Sequence, residues 1–213
     1  MKTAILISGR GSNMKALIAA GQRPGADFEI ALVLSNRPEA AGLAFAAEAG
    51  IVTASIDHRA YPDRSDFDAA LDEALHAAEI ELVCLAGFMR ILTTDFVERW
   101  QGRMINIHPS LLPSFKGLHT HERALAAGVR VHGCSVHLVR AELDDGPILV
   151  QGIVPVKQDD TAETLAARVL EVEHQCYPLA LDLFTSGKVR IDGNRVVIEG
   201  GTPPLVSLIG SHR

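Results

Sequence analysis

The first hundred residues alternate short apolar runs with Ala- and Leu-rich amphipathic segments, and this alternation constrains the fold more than any other feature. The runs predict strands and the segments predict helices, as in βαβ units. The strands are nearly continuously apolar, which is typical of strands that helices cover on both faces. The predicted strands are 4–7, 30–34, 51–54 and 82–86, and the predicted helices lie near 12–20, 39–49 and 65–79. We expect an α/β fold with a Rossmann-like, mostly parallel twisted sheet.

After residue 100 the pattern changes to longer strands and a long helix. A short strand at 104–108 is followed by strands at 131–139 and 148–156, which a turn-rich stretch at 143–147 separates and which should pair antiparallel. Asp160 and Glu163 have the spacing of a capping box, and an apolar stripe from 165 to 183 predicts one long helix. We expect a single domain: residues 1–186, in halves of about 1–100 and 101–186, with a hairpin and tail of the same domain at 187–213.

Charge and apolar content exclude several classes of protein. Twenty Lys and Arg residues against 26 Asp and Glu residues give a net charge of -6, which argues against general nucleic-acid binding. No apolar run approaches the roughly 18 to 20 residues that a transmembrane helix needs. The N-terminus lacks the features of a signal peptide. The 3 cysteines are widely spaced and read as buried thiols in a reducing compartment. We expect a cytoplasmic protein without membrane or nucleic-acid partners.

A glycine-rich turn, S-G-R-G-S-N at 8–13, stands where the first strand gives way to the first helix. In an open α/β sheet, ligands bind at the carboxyl ends of strands, and a helix N-terminus there attracts phosphate. Met14 occupies the third glycine position of a dinucleotide motif, and the lysine of a P-loop is absent. The turn therefore predicts a cradle for a single phosphate with Ser12 and Asn13 as donors, or merely a tight turn with Ser12 as N-cap.

Asn106 and His108 lie two residues apart on the predicted strand 104–108 and point to the same face. Pro109 keeps His108 in the extended region. An amide donor beside an imidazole is suited to stabilising an oxyanion, with histidine as proton donor. Asp144 would favour the imidazolium form if its carboxylate approached His108. The alternatives are a hydrogen-bonded core histidine and an ordinary turn aspartate.

Further polar residues have weaker signals. Ser135 and His137 share a strand face and could support the same site, although a structural histidine is the simpler interpretation. The histidines at 119, 121, 132 and 137 could suggest a metal, but no carboxylate or cysteine completes a known ligand spacing. We predict no metal.

The apolar segment after the fourth strand could bind a flat heterocycle through its free backbone groups, or could simply lead into the next helix. It contains Met89, Arg90, Ile91 and Leu92. Arg64 could meet an anionic tail and Glu173 a polar ligand group; the alternative for both is a solvated side chain.

Five motifs occur in family order over almost the whole chain, and together they resemble the phosphoribosylglycinamide formyltransferase family of purine biosynthesis. They are S-G-R-G-S-N at 8–13, A-G-F-M-R-I-L at 86–92, N-I-H-P-S-L-L-P at 106–113, H-T-H at 119–121 and L-D-D-G-P at 143–147. The resemblance implies a one-carbon transferase that moves the formyl group of its co-substrate 10-formyltetrahydrofolate directly to the amino group of glycinamide ribonucleotide. The products would be N-formylglycinamide ribonucleotide and tetrahydrofolate.

The resemblance also implies a role for each matching residue. The catalytic group would be Asn106, His108 and Asp144; the ribonucleotide would meet Gly11, Ser12, Asn13 and Glu173; formyl folate would meet Arg64, Met89, Arg90, Ile91, Leu92 and Asn106. Residues 1–100 would be the nucleotide-substrate half and 101–186 the folate and catalytic half. Family members often carry an amide at position 170, where this chain has Leu170. The expected partners are small molecules only, with the chain a monomer or weak homodimer.

Three alternatives share parts of this pattern. Methionyl-tRNA formyltransferase resembles the core but adds a C-terminal domain and needs a basic surface. Formyltetrahydrofolate deformylase adds an N-terminal domain, whereas this chain is expected to start on its first strand. A phosphate- or folate-binding module without catalysis would not need Asn106, His108 and Asp144 together.

Overall fold

The computed structural model describes residues 1–201 and 204–207. The chain divides into two compact units: residues 1–106 with 139–141, and residues 107–138 with the chain from 142 onward. None of the helices in these described ranges is both long and apolar enough to cross a membrane.

The first unit contains a parallel sheet in the order β5-β4-β1-β2-β3. Its strands are β1 (Lys2–Ile7), β2 (Glu29–Ser35), β3 (Val52–Ser55), β4 (Leu82–Leu85) and the start of β5 (Met104–His108). Both β2 and β4 pair with β1, so the strand order reverses there. Ligands of open α/β sheets bind at such a reversal, outside the carboxyl ends of the strands. The turn at 8–13 and the segment at 86–92 follow β1 and β4 at these ends.

Helices of the first unit follow the apolar periodicity of the sequence. They are α1 (Ser12–Gly21), α2 (Ala41–Glu48), α3 (Arg64–Ala77) and α4 (Thr94–Arg99), with a 3₁₀ turn at His58–Ala60. In α3, Phe67, Leu71 and Leu75 recur every fourth residue and are fully buried, because side chains at this spacing share one helix face. They pack with Leu6 and Leu34 of the sheet in one core cluster.

The second unit combines an antiparallel strand pair with the longest helix. Strands β6 (Val131–Leu138) and β7 (Ile148–Pro155) pair antiparallel, and β10 (Leu205–Ser207) runs parallel to β7 on its other side. Helix α5 (Thr120–Ala126) precedes β6, α6 (Ala162–Thr185) packs on β6 and β7, and β8 (Val189–Asp192) and β9 (Arg195–Ile198) form a separate hairpin.

The predicted fold class is confirmed: the structure is an α/β domain with a mostly parallel sheet, a longer antiparallel pair and a long helix. All three cysteines are buried, as predicted. The hairpin at 189–198 is present, whereas residues 202, 203 and 208–213 of the predicted tail lie outside the described residues. The bounds of α4 and the presence of α5 and β10 were not predicted from the sequence.

The predicted capping box was wrong by one residue. Thr161, not Asp160, is the N-cap of α6, and it exchanges hydrogen bonds with Thr164. Asp160 instead forms an ion pair with Arg168, whose guanidinium holds the pKa of this carboxyl well below its usual range. Two adjacent residues could each have capped the helix, and the ion pair decides between them.

Candidate active site

His108 and Asp144 lie in contact in the second unit, and both side chains are buried. His108 Nδ1 is 3.4 Å from Asp144 Oδ2, and His108 Nε2 is 3.0 Å from the backbone carbonyl of Phe115. Both ring nitrogens therefore face acceptors. A neutral imidazole has one N–H and can satisfy only one of them, whereas the imidazolium satisfies both.

Asp144 is held in place by the chain around it. Its Oδ2 accepts the N–H of Gly117 at 2.8 Å, and its backbone is left-handed with φ of 51°, a conformation that aspartate adopts more readily than most residues. Gly146 completes the turn, because a Cβ there would lie only 1.6 Å from the Leu138 carbonyl oxygen. The D-D-G-P sequence therefore lets the backbone at Gly146 approach the Leu138 carbonyl closely, and this turn directs the Asp144 side chain toward His108.

His137 lies on the other side of Asp144. Its Nε2 is 3.9 Å from Asp144 Oδ1, and its Nδ1 donates to the Leu138 carbonyl at 2.9 Å. Burial lowers the pKa of His137 below its ordinary value, although the Leu138 carbonyl and Asp144 act in the opposite direction. A neutral His137 therefore lies beside the Asp144 carboxylate and brings no positive charge that would draw this carboxylate away from His108.

Ser135 anchors the segment that follows His108. Its hydroxyl donates to the Ser110 carbonyl at 2.8 Å and accepts the Leu112 N–H at 3.0 Å. Gln151 donates to the Ser135 hydroxyl at 2.9 Å and to the Leu112 carbonyl at 3.1 Å. These buried bonds tie the start of the loop that carries Phe115 to strands β6 and β7.

Asn106 is half-buried and lies two positions before His108 on β5, so strand alternation places both on one face.

Glu173 is buried on α6, three residues after the half-buried Leu170. A hydrogen bond to Cys176, together with burial and the charge of Glu173, raises the pKa of the Cys134 thiol.

The turn after β1 leaves the N-terminus of α1 open to an anion. Gly11, not Ser12, is the N-cap, so no side chain caps the helix, and the first turn contains no acidic residue. Gly42 of α2 donates its N–H to the Gly9 carbonyl at 3.0 Å. A Cβ on Gly42 would lie 3.1 Å from that carbonyl oxygen, so α2 packs directly against the turn. Uncapped amides and the helix dipole together favour a phosphate here.

The segment after β4 exposes two apolar side chains beside a semi-buried arginine. Met89 is 67% exposed and Ile91 62% exposed, while the Arg90 guanidinium lies 5.5 Å from the centre of the Phe67 ring. Leu92 is half-buried against the core. Arg64 is exposed and is the first residue of α3, not the residue before the helix.

Two further histidines, His121 and His132, pack against each other. The rings of His121 and His132 meet edge to face at 5.3 Å, and His132 also contacts Phe115. Burial lowers the pKa of His132 to about 4. Across residues 1–201 and 204–207, no group of three or more His, Cys, Asp or Glu side chains is placed to hold a metal ion.

The sequence analysis missed four contributors to the site. The Phe115 carbonyl and the Gly117 N–H are backbone groups, which carry no sequence signal. The roles of Gly146 and Gln151 depend on which strands pair, although Gly146 stands inside a motif that had already been singled out.

The sequence and the fold are similar to those of known proteins. The formyl transferase family model matches residues 1–181, and the chain belongs to this family. Relatives similar over most of both lengths are phosphoribosylglycinamide formyltransferases, as the five motifs predicted. The Escherichia coli (strain K12) phosphoribosylglycinamide formyltransferase is 41% identical over 204 residues, 96% of each chain. The structure of glycinamide ribonucleotide transformylase 1 from Symbiobacterium toebii is 44% identical, with a TM-score of 0.90 over 93% of each chain.

A longer relative is similar through a part of its length. The trifunctional purine biosynthetic protein adenosine-3 of Gallus gallus is 52% identical over 191 residues, 90% of this chain. The chain spans 19% of the length of that protein.

Proposed function

We propose that the chain transfers the formyl group of 10-formyltetrahydrofolate to the amino group of glycinamide ribonucleotide, a step of purine biosynthesis. Family membership and the name of the E. coli relative support this activity. The observation that carries the proposed chemistry is the buried His108 imidazole held between Asp144 and the Phe115 carbonyl.

The neutral substrate amine attacks the formyl carbon, forming a C–N bond and a tetrahedral oxyanion. The bond from that carbon to N10 of the folate then breaks. One amine proton goes to the departing N10, through an ordered water. The Nε2–H of His108 and the amide of Asn106 stabilise the oxyanion. The Phe115 carbonyl lies 3.0 Å from Nε2, so it occupies the position from which an oxyanion would accept the Nε2–H. Asp144 balances the imidazolium charge.

The substrate phosphate binds at the uncapped N-terminus of α1. Backbone N–H groups of Gly11, Ser12 and Asn13 are the proposed donors, and the absence of acidic side chains in that first turn supports the role. Glu173 is proposed to contact the ribose hydroxyls. Leu170 cannot supply the hydrogen bond that an amide at this position would make.

Formyl folate is proposed to bind along Met89, Arg90, Ile91 and Leu92, with Asn106 at the formyl group and Arg64 near the anionic tail. The exposed apolar side chains of Met89 and Ile91 suit contact with a flat, partly apolar heterocycle. We further propose a cytoplasmic monomer or weak homodimer that needs no metal.

The test mixes the purified protein with 10-formyltetrahydrofolate, with and without glycinamide ribonucleotide, and follows the folate absorbance. Loss of the formyl group only when the amine is present supports the transferase. Equal loss without the amine would indicate a deformylase, and no reaction in either case would indicate a binding module. Methionyl-tRNA added in place of the ribonucleotide tests the remaining alternative.

A further inference from the structure

The proposed folate segment has no regular secondary structure of its own. It connects β4 to α4, and the apolar side chains of Met89 and Ile91 extend into solvent. Ordering each residue of such a segment costs backbone conformational entropy. A ligand that had to order the segment would bind more weakly than one that found it already in place. Groups that hold the segment therefore influence folate affinity without touching folate.

Ser8 holds the first end of the segment. Its hydroxyl oxygen accepts the N–H of Met89 at 2.7 Å, and its hydroxyl proton is donated to Asn36 Oδ1 at 2.6 Å. The Ser8 N–H also donates to the Gly87 carbonyl at 3.2 Å. Ser8 and Asn36 are both buried. Because Asn36 Oδ1 can only accept, it fixes the hydroxyl proton and leaves the Ser8 oxygen oriented as an acceptor for Met89.

Asn36 is in turn held by His58. His58 Nδ1 donates to the Asn36 backbone carbonyl at 2.8 Å, and the His58 ring packs edge to face on Phe67. Phe67 is the residue over which the Arg90 guanidinium lies. The contacts that hold Met89, through Ser8, Asn36 and His58, and the contact that holds Arg90 therefore both involve the Phe67 ring.

Asp68 holds the other end. Its Oδ2 accepts the N–H of Thr93 at 2.6 Å, and its Oδ1 has no hydrogen-bond partner. The residue is fully buried. Burying a carboxylate carries a large desolvation penalty, so Asp68 is a poor choice of residue for general stability. Its bond to the amide is charge-assisted and therefore stronger than a neutral one, so the carboxylate fixes Thr93, the N-cap of α4.

We propose that Ser8 and Asp68 are positioning residues that fix the two ends of the segment 89–92, so that the segment is ordered before formyl folate binds. This inference rests on the proposed folate role of that segment. Neither residue belongs to the proposed phosphate donors or to the catalytic group, and both act through backbone N–H groups at the ends of the segment.

The experiment compares Ser8→Ala, Asp68→Ala and Asp68→Asn. Alanine removes each acceptor, whereas asparagine keeps a carbonyl oxygen for Thr93. We expect each alanine variant to raise KM for 10-formyltetrahydrofolate about tenfold, with kcat changed by less than about threefold. KM for glycinamide ribonucleotide should change less, and Asp68→Asn should recover most of the loss.

Ser35→Ala is the matched control. The Ser35 hydroxyl is fully buried at the end of β2 and accepts the N–H of Arg37 at 3.0 Å, so its removal costs a similar bond elsewhere in the sheet. Hydrogen–deuterium exchange of the peptide covering 86–94 supplies a readout without turnover. We expect faster exchange of the Met89 amide in Ser8→Ala and of the Thr93 amide in Asp68→Ala.

An unchanged folate KM in both alanine variants would overturn the proposal, as would an equal rise in Ser35→Ala. Equal damage from Asp68→Asn and Asp68→Ala would overturn the role of Asp68. Ile91→Ala separates this failure from failure of the folate assignment. If Ile91→Ala raises folate KM but Ser8→Ala and Asp68→Ala do not, the positioning role alone is wrong. If Ile91→Ala has no effect, the folate assignment of the segment fails and the inference fails with it.

Discussion

Replacing Asp144 by asparagine removes one charge from the catalytic group and leaves its shape intact. The carbonyl of the introduced amide can still accept the Gly117 N–H, which Oδ2 accepts at 2.8 Å, and its NH₂ group can face the neutral His137 Nε2. The variant should therefore fold normally. What it loses is the attraction between carboxylate and imidazolium.

The size of that loss follows from the separation of the two groups. At 3.4 Å and an effective dielectric constant of about 20, two unit charges attract by about 5 kcal/mol. The neutral amide retains part of this as a dipole and hydrogen bond, so we expect the His108 imidazolium to lose about 3–4 kcal/mol of stabilisation. Since 1.36 kcal/mol corresponds to tenfold in rate, kcat should fall by about 10²–10³. His108→Ala should lose at least as much, because it removes the oxyanion donor itself.

The assay measures steady-state kcat and KM for both substrates, with a urea unfolding curve for each variant. Asp145→Asn is the matched control, because this adjacent carboxylate is 42% exposed and pairs with Lys116 on the surface. Surface pairs contribute little, so turnover of Asp145→Asn should stay within about twofold of the parent. Near-normal turnover of a folded Asp144→Asn protein, or equal impairment of Asp145→Asn, would refute the assigned role of Asp144.

Three further outcomes are expected. Gly42→Ala should raise KM for glycinamide ribonucleotide several-fold at little changed kcat, because the added Cβ would press on the Gly9 carbonyl. Initial rates measured against ribonucleotide concentration check this, and an unchanged KM would contradict it. Trp100→Phe should lower the free energy of unfolding by about 2–4 kcal/mol, since it deletes buried volume and the bond from Nε1 to Asp72 at 2.8 Å; urea denaturation measures the loss, and turnover of the folded fraction should be retained. His132 has a pKa of about 4 in the fold against an ordinary 6.5, so between these pH values the unfolded chain binds more protons and stability falls on acidification, by up to about 3 kcal/mol. His132→Gln should flatten the dependence of unfolding free energy on pH over this window, and an unchanged slope would show that other groups cause it.

Most of the element order could be predicted from the sequence because periodicity is local. Apolar runs and helical spacing indicated β1 to β9 and the three long helices of the first unit within a few residues. The bounds of short helices such as α4 and α5 were not predicted, since 6 or 7 residues contain too few helical periods to distinguish a helix from a loop. The cap of α6 was misplaced because Asp160 and Thr161 are both good N-caps, and in the fold the Asp160 carboxylate is engaged with Arg168, Lys157 and Thr164 instead.

The sequence by itself determined which residues could do chemistry. Asn106 and His108 share a strand face by alternation, and a turn with two aspartates is visible at 144 and 145. What only the tertiary structure decided is that Asp144 contacts His108 and which group meets the other ring nitrogen. Asp144 and the Phe115 carbonyl reach the imidazole because the turn closes against Leu138 and because the 110–119 loop folds back.

The same division holds for Ser8 and Asp68, whose partners are the amides of Met89 and Thr93. Every residue except proline carries a backbone N–H, so the chain sequence cannot mark the amides that will be held. Packing between distant segments selects them.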